Sequence, residues 1–308
     1  YAEIGDNKIL NINDCMVDSI SQAKIIKKNI ADVDILLTQF GYASWVGDPT
    51  DIELRKSASL EKLKRIQIQA KIFTPKFIIP FASFVRFSHK DNFYMNDEMN
   101  KIQDIENFIK SKTNSIPVIL YPGDKWSGKS KIDNSSAIKK YQLDLEKNLD
   151  LDDNFIVIND NELKKLALSY IVNIKKRNNW FFIKFLHKIQ FFKTATIFLK
   201  DKESSYSFNL VDGLQNSKIS ESDADIITDS DSLGFVFSWD YGMDTLFVNA
   251  RFRTSGGRVM KFFRLFLIGT LNNNGRTFPI GVIGFLFHEK SMWKTKFLEI
   301  ILGKYAIK

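Results

Sequence analysis

Few side chains in this sequence are suited to chemistry, and their scarcity narrows the possibilities. The 308 residues hold three histidines and one cysteine. Cys15 follows Asp14 at the end of the apolar run Lys8–Asn13. A thiol becomes a nucleophile when a neighbouring base or cation stabilises its thiolate, and no histidine lies near Cys15 in sequence. Asp14, placed after a strand-like run, suits the cap of a following helix. His89 sits in the polar run Ser88-His89-Lys90-Asp91-Asn92, where a solvated loop residue is the plain reading. His187 and His288 lie in basic, aromatic, helical stretches and read as structural or solvated. The stretch from Gly123 to Ser130 contains Gly-Lys-Ser at the spacing of a phosphate-binding loop. Asp124 and Trp126 would crowd an anion nest, however, and no helix follows directly, so an exposed turn is expected.

These counts exclude whole classes of function. One cysteine rules out an internal disulfide. A Rieske centre needs two cysteines and two histidines, so no Rieske cluster is expected in this chain. A cysteine-rich structural zinc site fails on the same count. The net charge of +8 permits attraction to nucleotides, phosphates or anionic membranes and specifies none of them. No nucleic-acid-binding module is recognisable, and no nucleic-acid partner is expected. No run reaches the roughly 18 apolar residues of a spanning helix, and no N-terminal signal pattern is visible. The expected location is the cytoplasm, with peripheral membrane attachment as the open alternative.

The elements that position these residues follow from periodicity. Strand-like runs at Lys8–Asn13, Val33–Gln39, Phe77–Phe84 and Ile116–Tyr121 alternate with helical patterns at Ser19–Ile30, Arg55–Ile72 and Asp97–Lys110. That alternation predicts a layered α/β sheet. Residues 125–150 are polar and charged and read as a linker; residues 160–193 read as helical, basic and aromatic. The period then changes to two, and Thr196–Leu199 with Tyr206–Leu210 predict a hairpin. A third strand is expected at Ala224–Thr228, a short helix at Ser230–Phe237, a strand at Thr245–Phe252, and helices at Val259–Leu271 and His288–Tyr305.

Three segments carry a resemblance. Lys8–Cys15, the run Asp34-Ile35-Leu36-Leu37-Thr38-Gln39-Phe40-Gly41-Tyr42-Ala43, and Pro80-Phe81-Ala82-Ser83-Phe84 through Ser88-His89 resemble the metallo-β-lactamase superfamily over roughly residues 1–122. The second and third segments are similar to the CMP-N-acetylneuraminate hydroxylase group. The resemblance implies that Asp14 occupies the bridging-aspartate position, where a carboxylate holds cations whose bound water ionises near neutral pH. It implies a divalent metal (zinc, iron or manganese), with His89 as a second metal ligand in an altered register. Proline at position 80 stands where many such enzymes place their last histidine. The family's upstream His-x-His-x-Asp-His cluster is absent, so this reads either as the C-terminal part of a larger protein or as a chain that has lost its metal centre. The metal is expected only with the missing N-terminal segment. Phe40, Tyr42, Trp45, Ser83 and Arg86 are expected to line a pocket for a sugar, nucleotide sugar or lipid-linked glycan.

Residues 194–252 resemble, more weakly, a sterol-carrier-protein-like module, which implies an apolar ligand. The expected fold class is therefore α/β: a partial metallo-β-lactamase-like αββα sandwich (1–124), a helical connector (125–193), and an α+β module with a helical tail (194–308). The expected activity is a metal-dependent hydrolase or hydroxylase-like reaction; the alternative is a non-catalytic lipid- or partner-binding protein. Residues 175–193 and 259–300 are the expected surface for a membrane or apolar ligand, although a core helix with snorkelling lysines fits residues 175–193 equally.

Overall fold

The computed structural model describes residues 1–15, 17–128, 133–147, 150–151, 156–255 and 258–281. The chain forms two compact units, Tyr1–Ser88 with Phe93–Leu151, and His89–Asn92 with Asp152–Lys308. The class is mixed α/β, with one mixed sheet of five strands and another of four.

In the first unit, β1 (Ala2–Ile4) pairs antiparallel with β2 (Asn7–Asn11). Then β3 (Ile35–Thr38), β4 (Phe77–Pro80) and β5 (Ile116–Pro117) add in chain order, each parallel to the last. The connections carry α1 (Ile20–Lys27), α2 (Ile52–Phe73) and α3 (Ile102–Lys112), and α4 (Asn134–Glu146) follows β5. Sequential parallel strands joined by crossovers of one hand place every crossover on the same face. The core agrees. Leu10, Leu36 and Ile78 lie in register across the sheet and pack with Ala23 of α1, Ile66 and Phe73 of α2, Ile105 and Ile109 of α3, and Ala137 of α4. The opposite face carries Ile9, Leu37, Phe77 and Ile79, which are half-buried, and between them Ile35, which is buried. There Trp126 sets its ring edge-on to Phe77, with centroids 4.9 Å apart.

The helix ends follow local chemistry. Ser19 caps α1 and forms a reciprocal capping box with Gln22. Asp14, the capping candidate read from sequence, does not take that role. Thr74 closes α2 in the left-handed region, and Pro75 follows it. One buried polar relay joins helix to sheet: Thr38 donates to the Gln69 side chain at 2.6 Å, and Gln69 donates to the Val17 carbonyl at 3.0 Å.

In the second unit, α5 (Asp160–Arg177) and α6 (Trp180–Lys188) precede the predicted hairpin, β6 (Ala195–Leu199) with β7 (Ser204–Asn209). The segment 125–193 thus contributes α4 to the first unit and α5 and α6 to the second. Asn209 accepts from the Val211 and Asp212 amides at 2.9 and 2.7 Å, turning the chain into β8 (Gly213–Ser217). β9 (Ile226–Thr228) pairs parallel to β6, giving the order β8-β7-β6-β9. Then come α7 (Ser230–Ser238), α8 (Gly242–Asn249) and α9 (Val259–Asn273).

The strand expected at Thr245–Phe252 is instead α8 and its exit. Met243 and Leu246, one helical turn apart, are buried, and Ala250 ends the helix in the left-handed region. Tertiary packing overrides the β-propensity of the Thr-Leu-Phe-Val run. Phe208, Phe237, Phe262 and Phe266 build an aromatic core with neighbouring centroids 4.8 to 5.8 Å apart. Two fully buried aspartates are paired: Asp225 with Lys261 at 2.9 Å, and Asp229 with Arg251 at 3.2 Å. The expected helix His288–Tyr305 lies outside the described residues.

Replacing Gln69 with leucine leaves a buried hydroxyl and a buried carbonyl without their partner. The expected cost is about 2–4 kcal/mol, read as a lower urea midpoint with an unchanged slope.

Candidate functional site

Parallel strands carry their carboxyl ends to one edge, where the loops that follow them gather. Here the edge collects the loops after β2, β3, β4 and β5. After β2, the Asn13 amide donates to Asp14 Oδ2 at 3.1 Å. After β3, Gln39 donates from Nε2 to Asn13 Oδ1 at 2.8 Å and to Asp14 Oδ1 at 3.3 Å. Asp14 is exposed and Gln39 half-buried. One carboxylate and two carboxamides therefore meet at adjacent strand ends and present acceptors and donors to solvent, the usual complement of a hydroxyl-rich ligand.

The loops after β4 and β5 add an aromatic wall with α4. Phe84, after β4, stacks on Tyr141 of α4 at 3.8 Å with 3° between the planes. Tyr121, after β5, meets Tyr141 edge-on at 4.9 Å. Phe84 is 40% exposed, so part of its face is open to solvent. The wall is braced from below: Tyr141 donates to the Leu120 carbonyl at 2.8 Å, and Tyr121 donates to Asp144 at 2.6 Å.

The floor is rigid because buried groups tie the long loops together. Arg55 is fully buried. It donates to the Asp48 and Pro49 carbonyls at 2.7 and 3.0 Å, and its guanidinium lies 5.0 Å from the Tyr94 ring centroid. Tyr94 donates to the Gly47 carbonyl at 3.0 Å. Asn100 bridges the carbonyls of Phe40 and Ser59 at 2.7 and 2.9 Å. Gly47 is required here: its φ is +79°, and a Cβ would come within 2.6 Å of Asp51.

The residues expected to line a pocket divide into floor and bracing. Phe40 is buried in the core, edge-on to Phe84 at 5.1 Å. Tyr42 is buried and donates to the Met95 carbonyl at 2.6 Å, and burial pushes its phenol up to about 12. Ser83 is buried and accepts from the Phe40 amide at 2.9 Å. All three are buried, and Tyr42 and Ser83 tie neighbouring segments together. Trp45 is half-buried in the loop after β3. Arg86 spends its guanidinium on the Asp144 and Lys147 carbonyls, at 3.1 and 2.9 Å, at the end of α4.

Sequence reasoning missed Asn13, Gln39, Tyr121 and Tyr141. The first three had a usable signal: each lies just past the carboxyl end of a strand. Tyr141 had none, because its segment reads as a linker.

The two expected metal ligands belong to different units. Asp14 is in the first and His89 in the second. His89 is buried, not solvated; its Nδ1 accepts from the Asp91 amide at 3.2 Å and lies 3.2 Å from the Asp91 carboxylate. The first unit contains no histidine. Among the described residues, no three histidine, cysteine, aspartate or glutamate side chains group to hold a metal ion. A catalytic zinc needs three protein ligands and an open position. The single carboxylate Asp14, flanked by amides, does not fit zinc, iron or manganese in that role. Cys15 is free and exposed. His187 bonds through Nδ1 to the Phe192 carbonyl at 2.8 Å, and His288 lies outside the described residues. No family model, curated protein or solved structure matches the chain.

The phenols give a pH signature. Burial, with the charges of Tyr121, Asp124 and Asp144 added, raises Tyr141 to about 12, and Tyr42 is raised to about 12 as well. The folded state then holds these protons more tightly than the unfolded chain. Their stabilisation is complete below pH 10 and is lost as pH rises towards 12. Urea melts across that window are expected to show falling stability, with a shallower fall in Tyr141→Phe.

Proposed function

We propose that the chain binds a sugar, nucleotide sugar or lipid-linked glycan at the carboxyl edge of its first sheet. The observation that carries this reading is the junction of Asn13, Asp14 and Gln39, at the same sheet edge from which the loop carrying Phe84 leaves to stack on Tyr141. Carboxylate and carboxamide groups take the hydroxyls of a sugar in pairs. An open aromatic face takes its apolar side, or a nucleobase.

The resemblance of residues 1–122 to the metallo-β-lactamase superfamily supports both the ligand class and the position of Asp14. A sheet with all its crossovers on one face, and a half-buried row of Ile9, Leu37, Phe77 and Ile79 on the other, is consistent with half of an αββα sandwich. The metal-dependent hydrolytic or hydroxylating step of that superfamily would need donors beyond Asp14, and among the described residues no group of three metal-ligating side chains supplies them. A second, non-catalytic reading, lipid binding by the second unit, is favoured by the exposed aromatic residues of α6.

Calorimetry with a panel of nucleotide sugars is expected to find a binder whose affinity falls about tenfold in Asp14→Ala and again in Gln39→Ala. A panel that does not bind, or a binder indifferent to Asp14→Ala, overturns the reading. Elemental analysis of the dialysed chain is expected to find zinc, iron and manganese substoichiometric. Stoichiometric metal that disappears in Asp14→Ala would return the metal-dependent reaction to first place.

A further inference from the structure

We propose that α6 is a docking face for an anionic lipid surface. Phe181, Lys184, Phe185, Lys188 and Ile189 recur at i, i+3, i+4, i+7 and i+8, so they form one stripe along the helix. The stripe faces solvent: Phe181 is 83% exposed, Ile189 55% and Phe185 49%. The helix is anchored from its other side. Ile183 is fully buried, and the Asn179 side chain accepts from the Phe182 amide at 3.1 Å to cap the first turn. Ile183 and the Asn179 cap set its orientation, and of the stripe rings Phe185 stacks only on its own-helix neighbour Phe182, with centroids 6.3 Å apart, among the described residues.

The charge pattern selects the partner. Between Glu162 and Asp201 the chain contains no acidic residue. Lys175, Lys176, Arg177, Lys184, Lys188 and Lys193 are all exposed, and no ion pair among the described residues holds any of them. Rings and ammonium groups alternate along one stripe rather than separating onto two faces. At a lipid–water boundary both are satisfied at once: the rings sink below the headgroups while the lysine stems reach back to the phosphates. Trp180 stands at the start of the helix with the Lys175 ammonium 5.5 Å from its ring centroid, the pairing of an amphipathic ring and a cation suited to headgroup depth. The helix is too short and too charged to span; no described helix is long and apolar enough to cross a membrane. A stripe of this size yields weak, reversible attachment that depends on anionic lipid.

The test is flotation of the full chain with vesicles of phosphatidylcholine alone and with about a third phosphatidylglycerol. Binding is expected only to the anionic vesicles and is expected to weaken as salt rises. Lys184→Glu with Lys188→Glu, and separately Phe181→Ala with Phe185→Ala, should each reduce it by about tenfold or more. Both pairs are exposed, so melting followed by circular dichroism should not change. No binding by the unaltered chain, or binding by both variants as strong as that of the unaltered chain, overturns the proposal. So does a shift in oligomeric state on gel filtration of Phe181→Glu without vesicle binding, which would make this face a contact between copies of the chain.

Discussion

The first unit depends on one constraint: four strands, β2 to β5, add to the sheet in the order in which the chain makes them, all pointing the same way. Every crossover must then return over the same face, and every strand must release its chain at the same edge. The helices share one apolar interior because of it. The long loops after β3 and β4 are brought side by side because of it as well. The amide–carboxylate junction and the aromatic wall are thus consequences of topology; neither depends on a local motif.

Placing loops together does not hold them still, and here buried polar groups take over. Burying a guanidinium is costly unless its donors are matched. Arg55 turns both Nη groups to carbonyls of the very loop that has to be fixed, while its buried Nε has no partner among the described residues. Tyr42, Tyr94 and Asn100 do the same from neighbouring segments. The second unit uses charge in the same way, with Asp225 and Asp229 buried against Lys261 and Arg251. In both units ionised groups at the core boundary are paired to the segments they hold.

Much of this was legible in the chain. The runs at residues 33–39 and 77–84 announce buried parallel strands because both faces are apolar, and the hairpin announces itself by its period of two. The strand ends were overestimated, since apolar character continues past the last ladder bond: β4 stops at Pro80, and β5 is only two residues long. α4 was hidden because only Ala137 and Ile138 are buried on it, too few to overcome its polar composition. The site was half legible. Asp14 stood out as an isolated carboxylate, whereas Phe40, Tyr42 and Ser83 look like a pocket lining in sequence and are buried in the structure. Aromatic and hydroxyl side chains serve a floor and a binding wall equally well, and only the direction of burial separates them.

The second unit is not a continuous stretch of chain. His89–Asn92 belong to it, although they are flanked on both sides by residues of the first. Within it Asp91 pairs with Lys200, and Asn92 donates to the Asn249 carbonyl at 2.6 Å. Cutting the gene after residue 151 would therefore yield a downstream product missing part of its own lining. The two units are not interchangeable cassettes. Shuffling, fusion or separate expression has to carry this four-residue loan with it, and an insertion that lengthens the segment between Ser88 and Phe93 acts on both units at once.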